Sequence, residues 1–280
     1  MNKFIVAGAG LTLSAVAIAM WVFWLAPSAP AVAVPSDTEL APTPPTATST
    51  QAVIGASVQL RPIEVYTFGT GDTDLLFVGG IHGGYEANTV RLAQALIDEF
   101  QVRPETIPDS VTVHIIPVLN PDGLALPATA TDAERRFNAN EVDLNRNFDC
   151  RWQPTGTWRS VTMSAGTEPF SEPEAAALRD YVTRINPNAA VLWHSAASEV
   201  FTSECGAGVL AATDLLMNTY ATASDYRAAG LWTAYPVSGD AEGWLASIGI
   251  PAITVELETR NSIEWERNWA AMLATLELYR

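Results

Sequence analysis

Short apolar runs alternate along the chain with segments whose hydrophobic residues recur every three to four positions. Leu75-Leu-Phe-Val78 is an apolar run of the kind that fills a buried strand, and it ends in Gly79-Gly80. Val90, Ala93, Leu96, Ile97 and Phe100 share one side of a predicted amphipathic helix from Asn88 to Phe100. Val111 to Leu119 reads as a strand stopped by the turn Asn120-Pro121-Asp122-Gly123. Ser171, with Glu174 three residues on and Pro173 in the first turn, predicts a capping box opening a helix to Ile185. Ala189 to Trp193 and Ile250 to Leu257 are further strands, and Glu242 to Ser247 and Glu264 to Tyr279 further helices. Strands alternating with helices predict an α/β fold: a single domain with a mixed, mostly parallel central sheet covered by helices on both faces.

The N-terminus departs from this pattern. Phe4 to Ala26 is uncharged and mostly apolar. It exceeds the roughly 7–15 residues of a signal-peptide core and reaches the about 20 needed to span a bilayer. Ala31-Val32-Ala33 resembles a cleavage site. Residues 1–26 are therefore expected to be a signal peptide or an N-terminal membrane anchor. Either reading exports the remainder, to be secreted, periplasmic or tethered to the outer face of the membrane. Residues 27–56 are rich in Pro, Thr, Ser and Ala and read as a disordered linker, which leaves 57–280 as the folded catalytic domain.

Charge narrows the partners. Acidic residues number 31 against 15 basic ones, for a net charge of −16, and Lys3 is the sole lysine. Nucleic acid needs a basic surface to displace counterions, so it is excluded as a partner. Two cysteines cannot make a disulfide scaffold. Cys150 closely follows Asn145-Arg146, and Cys205 lies just beyond the strand that ends at His194, so one Cys150–Cys205 bridge at a shared rim is expected in an exported protein.

The candidate chemistry sits where strands end. His82 follows the first apolar run, Asn120 to Gly123 end the second, His194 follows Val191-Leu-Trp, and Glu256 closes Ile253-Thr-Val. Ligands of open α/β sheets bind at the carboxyl ends of strands, so these groups are expected to converge. His82, Glu86 and the distant His194 make a donor set for one catalytic Zn2+ with a coordination position left open for water. Glu256 is the candidate general base near that water. His114, mid-strand, reads as structural, and Asp122 as a turn former.

Six ordered blocks give the chain a resemblance to the zinc metallocarboxypeptidases of the carboxypeptidase A/B family. They are GGIHGGYE from Gly79, Asn120-Pro-Asp-Gly, Arg136 to Phe148 containing Asp-Leu-Asn-Arg-Asn, Leu192-Trp-His-Ser195, Tyr235 to Trp244, and Ile253-Thr-Val-Glu-Leu257. The resemblance implies that His82, Glu86 and His194 bind zinc and that Arg136 polarises the scissile carbonyl. It also implies that Asn145 and Arg146 bind the substrate's terminal carboxylate, that Tyr235 closes over it, and that Glu256 activates water. A slip of one residue would give the role of Arg136 to Arg135. One feature departs from the family pattern, which places the glutamate ligand three residues after the first histidine, where this chain has Tyr85. A loop one residue longer restores Glu86 as a ligand; the competing reading is that Glu86 caps a helix start. The family spacing from Tyr235 to Trp244 puts Glu242 at the floor of the side-chain pocket, which implies a preference for basic C-terminal residues.

The expected function is removal of the C-terminal residue from peptides with a free carboxylate, by a monomer. The alternatives are a same-fold amidase acting on cell-wall stem peptides at bonds to diaminopimelate, or on N-acyl amino acids, and a catalytically inactive binding module, against which Glu256 argues. There is no G-x-S-x-G elbow and no H-E-x-x-H helix, which disfavours a serine hydrolase and the helix-borne zinc peptidases.

Overall fold

The computed structural model describes residues 49–159 and 161–280. The expected leader or anchor, and the linker up to residue 48, lie outside them. An eight-stranded sheet runs in the order β1 (Ser49–Ala56), β2 (Pro62–Gly69), β4 (Val111–Ile116), β3 (Thr73–Val78), β7 (Ala189–Ser195), β10 (Ala252–Leu257), β8 (Glu199–Thr202) and β9 (Arg227–Leu231). The central pairs β4–β3, β3–β7 and β7–β10 are parallel, as is β8–β9, while β1–β2, β2–β4 and β10–β8 are antiparallel. This is the expected single α/β domain with a mixed, largely parallel sheet. A hairpin of β5 (Thr155–Trp158) and β6 (Val161–Ser164) stands apart from it.

The central strands read as unbroken apolar runs because both of their faces are covered. Alternate residues divide between two cores. Leu75 and Phe77 pack with α1 (Ala87–Val102), α5 (Ala211–Ser224) and α7 (Trp265–Leu278); Leu76 and Val78 pack with α4 (Pro173–Ile185) and α6 (Ala241–Ser247). Two short helices, α2 (Pro121–Ala125) and α3 (Asp132–Arg136), complete the helical set. From β3 the chain passes to β4 on one side, and β7 lies on the other. The crevice at the carboxyl ends of β3 and β7 is therefore a topological switch point.

Two sequence expectations are corrected here. The linker assigned to residues 27–56 contains β1, an edge strand paired antiparallel with β2. Its first residues are exposed, so their Ser/Thr/Gln composition reads as linker although the backbone is hydrogen-bonded. Gly55 is required there: a Cβ would lie 2.5 Å from that of Ala177 on α4. The capping box at Ser171 is also absent, and Glu172 occupies the N-cap position of α4. Glu174 is drawn into tertiary contacts instead, accepting from Val58 N at 3.1 Å and Asn138 Nδ2 at 3.1 Å.

Cys150 and Cys205 form a disulfide between residues 55 apart in sequence, with Cα atoms 5.7 Å apart. Closing a loop of that size in the unfolded chain corresponds to about 4 kcal/mol in the chain-entropy model. The double Cys150→Ser/Cys205→Ser variant is expected to lose about 2–4 kcal/mol of stability in urea melts. A loss below 0.5 kcal/mol would mean that the bridge does not constrain the unfolded state.

Candidate active site

The switch-point crevice opens into a cavity of about 590 Å³ whose walls include His82, Glu86, Arg136, Asn145, Arg146, His194, Tyr235, Glu242 and Glu256. Every catalytic, metal and substrate residue expected from the sequence is thus brought together. Arg135 is not among them; it lies near Asp132 on α3, so the buried residue in the cavity wall is Arg136. His114 is elsewhere, held between Asp74 at 2.7 Å and the Tyr181 hydroxyl at 2.7 Å within the sheet. Asp122 ties down the chain after β1, accepting from Ser57 Oγ at 2.7 Å.

His82 caps and Glu86 closes a single 3-10 turn, Gly83–Glu86, between β3 and α1. That turn absorbs the extra residue. Gly83 has φ +45°, and a Cβ there would meet the backbone of Leu124 at 2.8 Å and of Arg135 at 2.9 Å. A glycine is therefore needed for the loop to curl tightly enough to return Glu86 to His82. His194 comes from β7, in register with Glu256 on β10. Ligand atoms of His82, Glu86 and His194 all lie within 4.8 Å of one another, and all three residues are buried. His82 Nδ1 and Glu86 Oε2 are buried without a hydrogen-bond partner. Orphaned donors and acceptors of this kind are costly unless an ion completes them. Two imidazoles and a carboxylate suit zinc, so the residues present fit one divalent ion.

The surroundings hold these groups in place. Burial, then Arg136 and the neighbouring His194, keep His82 well below the ordinary imidazole range, which favours the neutral form a metal needs. His194 behaves oppositely. Burial pulls it down, but the hydrogen bond to Glu242 and the neighbouring Glu86 carboxylate outweigh that and hold it well above its usual value. Its Nδ1 lies 3.3 Å from Glu86 Oε2 and its Nε2 is 3.1 Å from Glu242 Oε1. Thr254 Oγ1 donates to the same Glu242 oxygen at 3.0 Å. Glu242 therefore fixes the outer edge of a metal-ligand imidazole. Burial and the adjacent Glu86 carboxylate push Glu256 up to about 7, within reach of both protonation states near neutrality.

Asp143 was not singled out from the sequence. It is fully buried, accepts from Arg136 Nε at 2.9 Å and from Asn145 N at 3.1 Å, and lies 3.6 Å from His82 Nδ1. Its one sequence signal is its place two residues before Asn145. Asn145 Oδ1 accepts from Ala241 N at 2.8 Å, which leaves its Nδ2 as the free group beside Arg146. Tyr235 stacks edge-on against Trp232, 5.0 Å between ring centres, at the cavity wall. Tyr85, Trp158, Arg151, Arg159 and Arg260 also line the cavity without having been anticipated.

The geometry defines a metallohydrolase: one ion site, a carboxylate beside it and guanidinium groups around it, at the switch point of an α/β sheet. A zinc carboxypeptidase family model matches residues 38–266, and the chain belongs to that family. It is therefore a zinc metallopeptidase. Murein peptide amidase A of Escherichia coli (strain K12) is 28% identical over 215 residues, covering 72% of this chain and 78% of that protein. Carboxypeptidase B of Astacus astacus is 28% identical over 151 residues, 48% of this chain and 50% of that one. Bacteriocin BCN5 of Clostridium perfringens is 33% identical over 146 residues, but these span only 16% of its length. Among solved structures, carboxypeptidase A from Helicoverpa armigera has a TM-score of 0.70 at 21% identity, over 83% of this chain and 68% of that one. A murein-tripeptide amidase from Escherichia coli O157 has 0.60 at 24% identity, over 82% and 91%. At these identities the solved structures show the shared fold.

Protein purified without chelator is expected to hold one zinc per chain, and His82→Ala or His194→Ala to lose it, by elemental analysis. Asp143→Asn and Glu242→Gln are expected to weaken zinc about 10–100-fold in chelator competition, the usual effect of removing a partner of a metal ligand. Parental affinity in Glu242→Gln would show that its contact with His194 does not support the ion.

Proposed function

We propose that the enzyme hydrolyses the amide bond preceding a residue with a free α-carboxylate, with a basic side chain preferred at that residue. The observation that carries this reading is the shared wall of Asn145, Arg146, Asp240 and Glu242 beside the metal ligands. Asn145 Nδ2 and the Arg146 guanidinium present donors that suit a carboxylate. Asp240 and Glu242 stand next to them. Burial, then the Glu242 charge, raise Asp240, while Glu242 itself is held low by His194 against the opposing effect of burial. A cationic side chain entering this wall relieves the repulsion between the two acids, whereas an aromatic one leaves it uncompensated.

When bound, zinc polarises the carbonyl and lowers the pKa of water. The chain's own groups do the rest. Glu256 takes the proton from the attacking water and returns it to the leaving amine. Arg136, fixed by Asp143, faces the charge that develops on the carbonyl oxygen. Tyr235 covers the bound terminus.

A second reading keeps the site and changes the substrate to cell-wall peptides. It is favoured by the match to murein peptide amidase A, which spans 78% of that protein, whose name describes action on murein peptides. The distal ammonium of diaminopimelate would meet the same carboxylates. N-acyl amino acids are a smaller version of the same chemistry. We further propose export, supported by the Cys150–Cys205 disulfide, which persists in oxidising compartments. The N-terminal leader or anchor, the linker ahead of β1 and the monomeric state belong to the same proposal. Among the described residues, no helix is long and apolar enough to cross a membrane.

Glu256→Gln is expected to retain zinc and fold while losing about 10²–10⁴-fold in kcat on blocked dipeptides. A variant within threefold of the parent would remove Glu256 from proton transfer. Blocked dipeptides ending in Lys or Arg are expected to exceed those ending in Phe by at least about tenfold in kcat/KM. Measured at saturating zinc, Glu242→Gln is expected to shrink that ratio. A preference for Phe in the parent would assign Glu242 to His194 alone.

A further inference from the structure

In a chain with twice as many acids as bases, five arginines line one cavity: Arg136, Arg146, Arg151, Arg159 and Arg260. Three are accounted for. Arg136 is bound by Asp143, Arg146 stands beside Asn145, and Arg151 pairs with Glu204 at 2.7 Å. Arg159 and Arg260 have no such assignment. Both sit on Tyr85. The Arg260 guanidinium is 4.4 Å from the centre of its ring, and Arg159 donates from Nη2 to its hydroxyl at 3.0 Å while lying 5.0 Å over Trp158. Among the described residues Arg260 has no carboxylate within 4.0 Å, and that nearest Arg159 is the half-exposed Asp132 at 3.6 Å.

The position of this pair relative to the metal is set by the two edges of His194. Its Nε2 edge faces Glu242 and its Nδ1 edge faces Glu86, the residue after Tyr85. A substrate whose terminal residue lies against Asn145, Arg146 and Glu242 therefore carries its acyl side past Glu86 towards Tyr85, Arg159 and Arg260. Arg260, without a carboxylate partner among the described residues, and Arg159, whose only one there is the half-exposed Asp132, keep positive charge available at that point and offer a local anion site. Stacking on Tyr85 and Trp158 restricts the guanidinium groups before a ligand arrives, which reduces the ordering cost of binding.

We propose that Arg159 and Arg260, held by Tyr85 and Trp158, form a subsite for a carboxylate carried by the acyl residue of the substrate. The orientation rests on the reaction proposed above. The carboxylate is either the side chain of an α-linked acidic residue or the free α-carboxylate of a γ-linked glutamyl residue.

The test uses full-chain zinc enzyme and three N-acetylated peptides ending in lysine, with α-glutamyl, γ-glutamyl or α-glutaminyl as the acyl residue. Hydrolysis is measured as kcat/KM, and binding is measured separately by calorimetry on Glu256→Gln enzyme. At least one glutamyl peptide is expected to exceed the glutaminyl peptide about tenfold in both measurements. The advantage is expected to shrink with added salt, because exposed charges are screened. Arg159→Gln/Arg260→Gln, and each single variant, is expected to reduce the advantage towards unity with the glutaminyl peptide unchanged. An advantage confined to the α- or to the γ-linked peptide supports the subsite and identifies its source. Equal binding of all three peptides, or an advantage that survives in the double variant, overturns it. Selective binding without hydrolysis of any peptide would overturn the proposed reaction and leave the subsite standing.

Discussion

The buried carboxylate of Asp143 is the constraint on which the active centre depends. One oxygen accepts from the Arg136 side chain, and the other accepts from Asn145 N and lies near His82. A charge without solvent exposure is tolerated only when paired and hydrogen-bonded, and here its partners are functional groups. A single side chain thereby links a metal ligand, the Arg136 guanidinium and the turn that carries Asn145 and Arg146. Glu242 plays the matching part on the opposite side, where His194 and Thr254 converge on one of its oxygens. His194 is thus backed by the Glu242 carboxylate from α6, while Asp143, in the loop before Asn145, lies 3.6 Å from His82 Nδ1.

The sheet supplies rigidity for this arrangement. His82 leaves the end of β3, while His194 and Glu256 are paired neighbours on β7 and β10. β3 and β7 are fixed side by side by parallel pairing and by side chains that fill both faces. The loops that carry the arginines, the hairpin of β5 and β6 and the segment after β10, lie outside this frame. Division of labour follows: His194 and Glu256 come from strand ends, and Arg159 and Arg260 come from loops. The acidic chain places five arginines around this one cavity, where they face five carboxylates: Glu86, Glu204, Asp240, Glu242 and Glu256.

The sequence by itself determined the α/β class, the central strands and the identity of the metal set, because each is carried by local pattern. Leu75 to Val78 is apolar on both sides since β3 is covered on both sides, His82 comes four residues after β3, and His194 and Glu256 lie at the ends of β7 and β10. The edge strand β1 was not legible, because a strand exposed at a sheet margin keeps a linker-like composition and gains its order from hydrogen bonds to β2. Helix α5 was likewise missed, since Leu216, Met217 and Tyr220 form a narrow apolar stripe among Ala and Thr. Tertiary structure alone decided the rest. It brought Glu86 back to His82 through a turn that only Gly83 permits, and chose Arg136 over Arg135 by burying Arg136 in the cavity wall while Arg135 stays outside it beside Asp132. It also placed Glu242 against His194, 48 residues away in the chain, and gathered Arg159 and Arg260 around Tyr85. The reason is physical: a hydrogen bond between residues far apart in sequence leaves no periodicity and no spacing to read, and exists only once the sheet has set the positions of both ends.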